Sequence, residues 1–265
     1  MSTPAVSVLL PVYNASGTLA SALRSLCRQT LKDFEVVAVD DGSTDNTPAI
    51  LADFAARDDR IRVVRRPHQG LCAALNLGLD RCRAPLVARM DADDLCARRR
   101  LELQRDFLLQ QPGIGVVGSQ VIMAPRQLVT DGMARYEGWL NELLTPAQIR
   151  RELWVESPLC HPSVTIRTDL LREVGAYRDR GWPEDYDLWL RLDRAGVAMA
   201  KLDRPLLLWR EGEQRLTRQS SSYAREQFLR LKQHHLERRL RGRRVLVWGA
   251  GMEGKPWMKA LRQRG

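Results

Sequence analysis

Apolar runs short enough for strands alternate with amphipathic stretches over the first 112 residues. Val6-Ser-Val-Leu-Leu-Pro11 reads as a buried strand, and Ser16 to Leu26 follows with apolar residues at helical spacing. The run Glu35-Val-Val-Ala-Val39 predicts a second strand. Thr47-Pro48 then combines a capping residue with proline at the first helical position, which predicts a helix through Ala55. Ile61-Arg-Val-Val64 ends in His68-Gln-Gly70 and feeds a helix through Leu79, and Leu86 to Met90 is a fourth apolar run. Strands alternating with helices in this way predict an α/β fold with a doubly wound, mostly parallel sheet flanked by helices.

Beyond residue 112 the pattern loosens. Ile114-Gly-Val-Val-Gly118 and Gln120-Val-Ile-Met123 predict two strands, and the stretch from Tyr136 to Leu153 has helical character, where a smaller acceptor-side subdomain would sit. Ser163-Val-Thr-Ile-Arg167 predicts another strand. Thr168 caps a short helix ending near Gly175, Glu184-Asp185 opens a helix to about Ala195, and Leu206 to Arg210 predicts a late strand. Tyr223 to Arg244 is basic and helix-prone, and Arg244 to Trp248 reads as a strand feeding Gly249-Ala-Gly251-Met-Glu-Gly254. That glycine spacing suits a dinucleotide turn, yet no acid follows at the ribose distance, so the element reads as the start of an incomplete second α/β unit. The expected organisation is a catalytic domain over 1–215, divided at 112/113, then a basic helical segment over 216–242 and the strand-helix start over 243–265.

The chain has 265 residues, 44% of them hydrophobic, which suffices for one substantial core. No apolar stretch reaches the roughly 20 residues that span a bilayer, and the N-terminus lacks a leader pattern, so the expected compartment is the cytoplasm, with contact to the inner membrane face left open. Five cysteines without C-x-x-C spacing suggest neither a disulfide framework nor a zinc site. A net charge of +10 fits an anionic partner: a nucleotide diphosphate, a phosphorylated lipid or RNA.

Acidic clusters narrow the choice. Asp40-Asp41-Gly-Ser-Thr-Asp45 follows one apolar run, Asp91-Ala-Asp93-Asp94 follows another, and Glu184-Asp185 precedes Tyr-Asp-Leu-Trp-Leu. Acids at strand ends lie on the carboxyl edge of a parallel sheet, where open α/β folds bind ligands. Crowded carboxylates repel one another, so the arrangement calls for a divalent ion bridging them to a diphosphate. Each cluster taken alone also suits a turn or a helix cap.

In these motifs the chain resembles the family 2 glycosyltransferases, inverting enzymes with a GT-A nucleotide-sugar-binding fold. The resemblance covers about residues 5–215 and rests on Ser7-Val-Leu-Leu-Pro-Val-Tyr-Asn14, Gln29-Thr-Leu-Lys-Asp-Phe-Glu35, Asp40 to Asp45, Asp91 to Asp94, His161-Pro-Ser163 and Glu184-Asp-Tyr-Asp-Leu-Trp189. It implies that Pro11, Val12 and Tyr13 line a base pocket, with Asp40 beside it and Asp41 reading uracil. It further implies that Asp91 and Ala92 bind the ribose side, that Asp93 holds Mn²⁺ or Mg²⁺, and that Asp185 is the general base. The donor would be a UDP-sugar and the acceptor a saccharide or glycolipid of surface-polysaccharide synthesis.

Other residues are less constrained. His161, Trp182, Glu184 and Arg210 are candidate contacts to acceptor or diphosphate, Arg215 being a further one, although packing or solvation accounts for each equally well. His68, His234 and His235 are expected to face solvent. The tail loosely resembles that of queuosine-tRNA galactosyltransferase-like proteins, and Arg225 to Arg244 carries eight Lys/Arg against two Glu, so a tRNA acceptor is the alternative. A non-catalytic nucleotide-binding module is the second alternative.

Overall fold

The computed structural model describes residues 3–212, 215, 218, 220–240, 242–247, 249, 251 and 254–262. Its strands are β1 (Val6–Val12), β2 (Phe34–Asp40), β3 (Ile61–Arg65), β4 (Leu86–Arg89), β5 (Leu95–Cys96), β6 (Ile114–Ala124), β7 (Thr165–Arg167) and β8 (Ala198–Arg210). Helices are α1 (Leu19–Cys27), α2 (Thr47–Arg57), α3 (Leu71–Arg81), α4 (Arg100–Gln110), α5 (Asp131–Glu142), α6 (Pro146–Glu152), α7 (Thr168–Glu173), α8 (Glu184–Arg194), α9 (Arg225–Leu240) and α10 (Gly254–Arg262). All strands join one sheet, ordered β3-β2-β1-β4-β7-β6-β8-β5, in which four of seven pairings are parallel.

β1 and β2 are buried along their whole length, as the continuous apolar runs require when helices cover both faces of a sheet. Successive side chains of β1 alternate between two cores. Val8, Leu10 and Val12 pack with Leu23 and Leu26 of α1, whereas Leu9 packs on the opposite face with Leu75 and Leu79 of α3 and Trp189 of α8. Because β1, β2 and β4 run parallel, the acids that follow β2 and β4 emerge at the same edge.

Several expectations change in detail. Thr47 does not cap α2: its Oγ1 accepts from Ala15 N at 2.8 Å, and Asn46 takes the cap position. The two strands expected over 114–123 are one strand, β6, whose pairing with β8 shifts register around Gln120. Ser163 lies in a 3₁₀ turn, donating to Cys160 O at 2.7 Å, so β7 begins only at Thr165. Residues 244–247 form no ladder, since an isolated strand has no partner for its amides; Trp248, Ala250, Met252 and Glu253 lie outside the described residues. The basic helix packs on the rest of the chain. α9 lies against α8 with Leu231 fully buried, and the Phe228 and Tyr186 rings are 6.1 Å apart. Among the described residues no helix is long and apolar enough to cross a membrane.

The loop after β2 requires glycine. Gly42 has φ of +78°, and a Cβ there would lie 2.7 Å from the backbone N of His68. Gly42→Ala is expected to cost about 1–3 kcal/mol of stability, read as a lowered urea midpoint with unchanged slope.

Candidate active site

The site begins where β1 and β2 end. Asn14 N donates to Ser43 Oγ at 2.9 Å, Thr44 N to Asn14 Oδ1 at 2.8 Å and Ser16 N to Asp45 Oδ2 at 3.0 Å, so these two loops are laced together. Asp40 accepts from Ser43 N at 3.0 Å and shapes the turn. Asp41 is almost wholly engaged by its own chain. It accepts from Gly70 N at 2.8 Å and Gln69 N at 3.1 Å, and pairs with Arg66 Nε at 3.1 Å and His68 Nδ1 at 2.8 Å. His68, expected to face solvent, is half-exposed but stacks on the Tyr13 ring with centroids 4.1 Å apart. Pro11 and Val12 are buried, while Tyr13 is 47% exposed and presents an aromatic face.

The acids after β4 have opposite properties. Asp91, Asp93 and Asp94 offer one carboxylate oxygen each within 4.8 Å of one another. Burial, then the negative charge of Asp91, pushes the Asp93 carboxyl up to about 6. Asp94 is raised well above the usual carboxylate range, first by burial and then by Asp91 and Asp93. Its Oδ1 accepts from Arg210 N at 2.8 Å, but its buried Oδ2 has no hydrogen-bond partner among the described residues. An unmatched buried oxygen within an all-carboxylate trio fits a hard divalent cation such as Mn²⁺ or Mg²⁺. Arg210 is less available than expected, because its Nε donates to Asp93 O at 2.6 Å. Arg215 pairs with Glu211 and lies 4.3 Å over the Trp209 ring.

The second carboxylate pair opens α8. Glu184 is 6% exposed; its Oε2 accepts from Tyr223 Oη at 2.7 Å, and its Oε1 lies 3.5 Å from His161 Nδ1. Burial alone would raise the Glu184 carboxyl, but these donors lower it. Asp185, whose Oδ1 accepts from Tyr186 N at 2.7 Å, is pushed up to about 8 by burial and by the charge of Glu184. His161 thus turns its Nδ1 toward Glu184. It is buried behind Glu184, its protonation disfavoured by burial and then by Arg89, with Nε2 positioned 3.1 Å from Tyr177 Oη. Trp182 is half-buried, 5.3 Å from the His234 ring and 5.9 Å from the Arg180 guanidinium, and its buried Nε1 has no partner among the described residues. His235, also expected to face solvent, is 7% exposed and bonds Asp187 at 2.9 Å.

Arg89 connects the two groups of acids. Only 3% exposed, it forms an ion pair with Asp91, and it feels the charges of Asp91 and Glu184 together. Its signal in the sequence was a lone cation within the apolar run Leu86 to Met90. Tyr223 and His235 had no such signal, because their partners are 39 and 48 residues away. Three carboxylates are raised toward neutrality: Asp93 and Asp94, among the potential metal ligands, can share a cation, and Asp185, outside them, can accept a proton.

Charge is left uncompensated on one side of Arg89 and a proton acceptor is poised on the other, a pairing suited to displacing a nucleotide diphosphate from a sugar. On this sheet it defines a glycosyltransferase of the GT-A kind. A profile of the family described as Glycosyl transferase family 2 matches residues 7–175, and the chain belongs to that family. It is similar to the glycosyltransferase EpsE of Bacillus subtilis (strain 168), with 32% identity over 84% of this chain and 79% of EpsE. Similarity to the amylovoran biosynthesis glycosyltransferase AmsE of Erwinia amylovora is 33% identity over 78% of this chain and 76% of AmsE. Among solved structures, S. aureus TarS 1–349 in complex with UDP-GlcNAc has a TM-score of 0.71 at 20% identity, covering 98% of this chain and 71% of TarS 1–349. The mannosyltransferase PcManGT of Pyrobaculum calidifontis, in complex with GDP-Man and Mn²⁺, has a TM-score of 0.67 at 20% identity, covering 98% of this chain and 70% of PcManGT.

The raised Asp185 carboxyl has a consequence for stability. An unfolded aspartate titrates near 4, so between about 4 and about 8 the folded state holds a proton that the unfolded chain releases, and stability falls as pH rises. Asp185→Asn is expected to melt above the parent at pH 8, with the difference vanishing near pH 4. Turnover should fall by about 100-fold or more while donor binding persists. Melting curves across pH and UDP-release assays check both; a pH-independent difference in melting would contradict the assignment.

Proposed function

We propose that this glycosyltransferase moves one sugar from a UDP-sugar to a hydroxyl of a saccharide or glycolipid acceptor in surface-polysaccharide synthesis, with inversion. The reading is carried by one observation: the buried Arg89 pairs with Asp91 of the acidic trio and also feels the charge of Glu184, which neighbours Asp185. Pro11, Val12 and Tyr13 border the base, with the exposed Tyr13–His68 stack as its platform. Asp40 and Asp41 hold the loops that shape this pocket, and Asp41 would read uracil only by exchanging one of its present partners. Asp91 and Ala92 lie on the ribose side. Asp93, helped by Asp94, would hold Mn²⁺ or Mg²⁺, which when bound supplies Lewis-acid stabilisation of the charge on the departing diphosphate.

Asp185 takes the acceptor hydroxyl's proton as the alcohol attacks the anomeric carbon from the face opposite the leaving group. Its raised carboxyl suits this task, because a base that titrates near neutrality combines basicity with availability. Trp182, three residues before the base, offers an indole face and an unmatched N–H to a saccharide. The biosynthetic role in the name of AmsE supports a carbohydrate acceptor.

Thermal-shift screening of UDP- and GDP-sugars with Mn²⁺ tests the donor. A saturating donor at about 100 times its Kd should add roughly 2.7 kcal/mol of stability, because it binds only the folded chain. One UDP-sugar is expected to raise Tm, EDTA to remove the shift and Asp93→Asn to weaken it. A shift with GDP-sugars alone would overturn the uracil assignment.

A further inference from the structure

Tyr223 lies beyond the region matched by the family profile, yet its hydroxyl is, with His161, one of two side-chain donors among the described residues that reach the buried Glu184 carboxylate. The turn that delivers it is well fastened. Ser220 Oγ accepts from Ser222 N at 3.2 Å, and Tyr223 N donates to Ser220 O at 3.2 Å. Immediately after it, α9 runs along α8. His235 bonds Asp187 at 2.9 Å, and Arg239 bonds Asp193 at 2.7 Å. One continuous segment thus supplies a partner to three acids of α8: Glu184, Asp187 and Asp193. A helix merely covering an apolar face would need none of these polar contacts. The chain gives up the conformational freedom of Tyr223 to place one hydroxyl on one carboxylate.

We propose that Tyr223 is a positioning residue for sugar transfer: its hydroxyl fixes the Glu184 carboxylate beside Asp185 and so sets the orientation and basicity of the proton acceptor. This rests on the assignment of Asp185 as the base. Glu184 has two oxygens and, among the described residues, a side-chain donor near each. His161 can donate from Nδ1 to Oε1 because Tyr177 Oη lies against its Nε2, and Tyr223 donates to Oε2. Held from both ends, Glu184 remains a fixed anion next to Asp185. Without the Tyr223 hydroxyl, one oxygen is left in a buried site with no donor, and the carboxylate either rotates or takes up a proton. Either change relaxes the negative field on Asp185. The effect falls on the proton-transfer step and leaves the donor pocket, built from β1, β2 and β4, untouched.

Tyr223→Phe in the full chain removes a single oxygen. With Mn²⁺ and the UDP-sugar found by thermal shift, it is expected to lower kcat about 10-fold with KM for the donor unchanged, as befits a lost charge-assisted bond. The Tyr223→Phe/Glu184→Gln double variant is expected to be no slower than Glu184→Gln alone, because both remove one interaction. Arg239→Gln, in the same segment but away from the pair, should lower Tm and leave kcat as it is. Additive losses in the double variant, or a Tyr223→Phe protein with lowered Tm and parental kcat, would reduce Tyr223 to a fastening and overturn the proposal. Turnover by the unmodified chain is the internal control. If it releases no UDP from any UDP-sugar, the transferase reading on which the proposal rests fails instead.

Discussion

A guanidinium held out of water by the sheet it belongs to is the constraint around which the site is organised. Arg89 sits on β4 between strands of the core, where an uncompensated charge would cost several kcal/mol. Burial works against that charge, and Asp91 beside it outweighs burial. Arg89 in turn depends on a polar scaffold. Arg100 of α4 is itself buried and donates to Arg89 O at 2.6 Å and Val164 O at 3.3 Å, while Gln104 donates to Ser163 O at 2.7 Å. These bonds hold the end of β4 to the turn that carries His161. The two carboxylate groups therefore share one rigid frame although they lie about ninety residues apart.

Acids at the carboxyl edge divide into two kinds. Asp40, Asp41 and Asp45 have their oxygens matched to amides, Arg66 or His68, and they hold loops. Asp93, Asp94 and Asp185 are crowded, buried and short of donors, so each is pushed up toward the protonated form. Satisfied acids stabilise the fold; frustrated ones reduce stability and are retained where chemistry needs them. The loop acids are therefore no less necessary than the frustrated ones. Without the lacing of the β1 and β2 loops, the Tyr13–His68 platform has nothing to fix its height above the sheet.

Much of this was legible in the chain. Apolar runs located β1 to β4, and with them the sheet edge at which the acids emerge, because burial on two faces leaves a pattern that local sequence cannot hide. Contacts between loops were not legible. Thr47 before Pro48 looks the same whether it caps its own helix or, as here, accepts from Ala15 N. His235 in a basic helical stretch gives no sign of the Asp187 that it bonds 48 residues away. Arg210 and His161 read as candidate ligand contacts, but their atoms are turned toward Asp93 O and Glu184, a matter of side-chain direction that spacing does not encode.

The first turn of α8 shows why Asp185, rather than its neighbours, is the acid raised toward neutrality. Glu184, Asp185 and Asp187 all sit at a helix N-terminus, where the dipole favours negative charge by roughly 0.3–1 kcal/mol. A one-unit change in pKa corresponds to about 1.4 kcal/mol, so the dipole shifts each acid by less than one unit. It cannot offset the rise of Asp185 to about 8. Glu184 escapes that rise through Tyr223 and His161, and Asp187 through His235 and Arg191, the latter at 2.7 Å. Partners supplied from α9, from the His161 turn and from α8 itself thus hold the flanking acids charged. Asp185 is left with one backbone amide and an anion beside it, and its proton affinity is raised by the groups that keep its neighbours ionised.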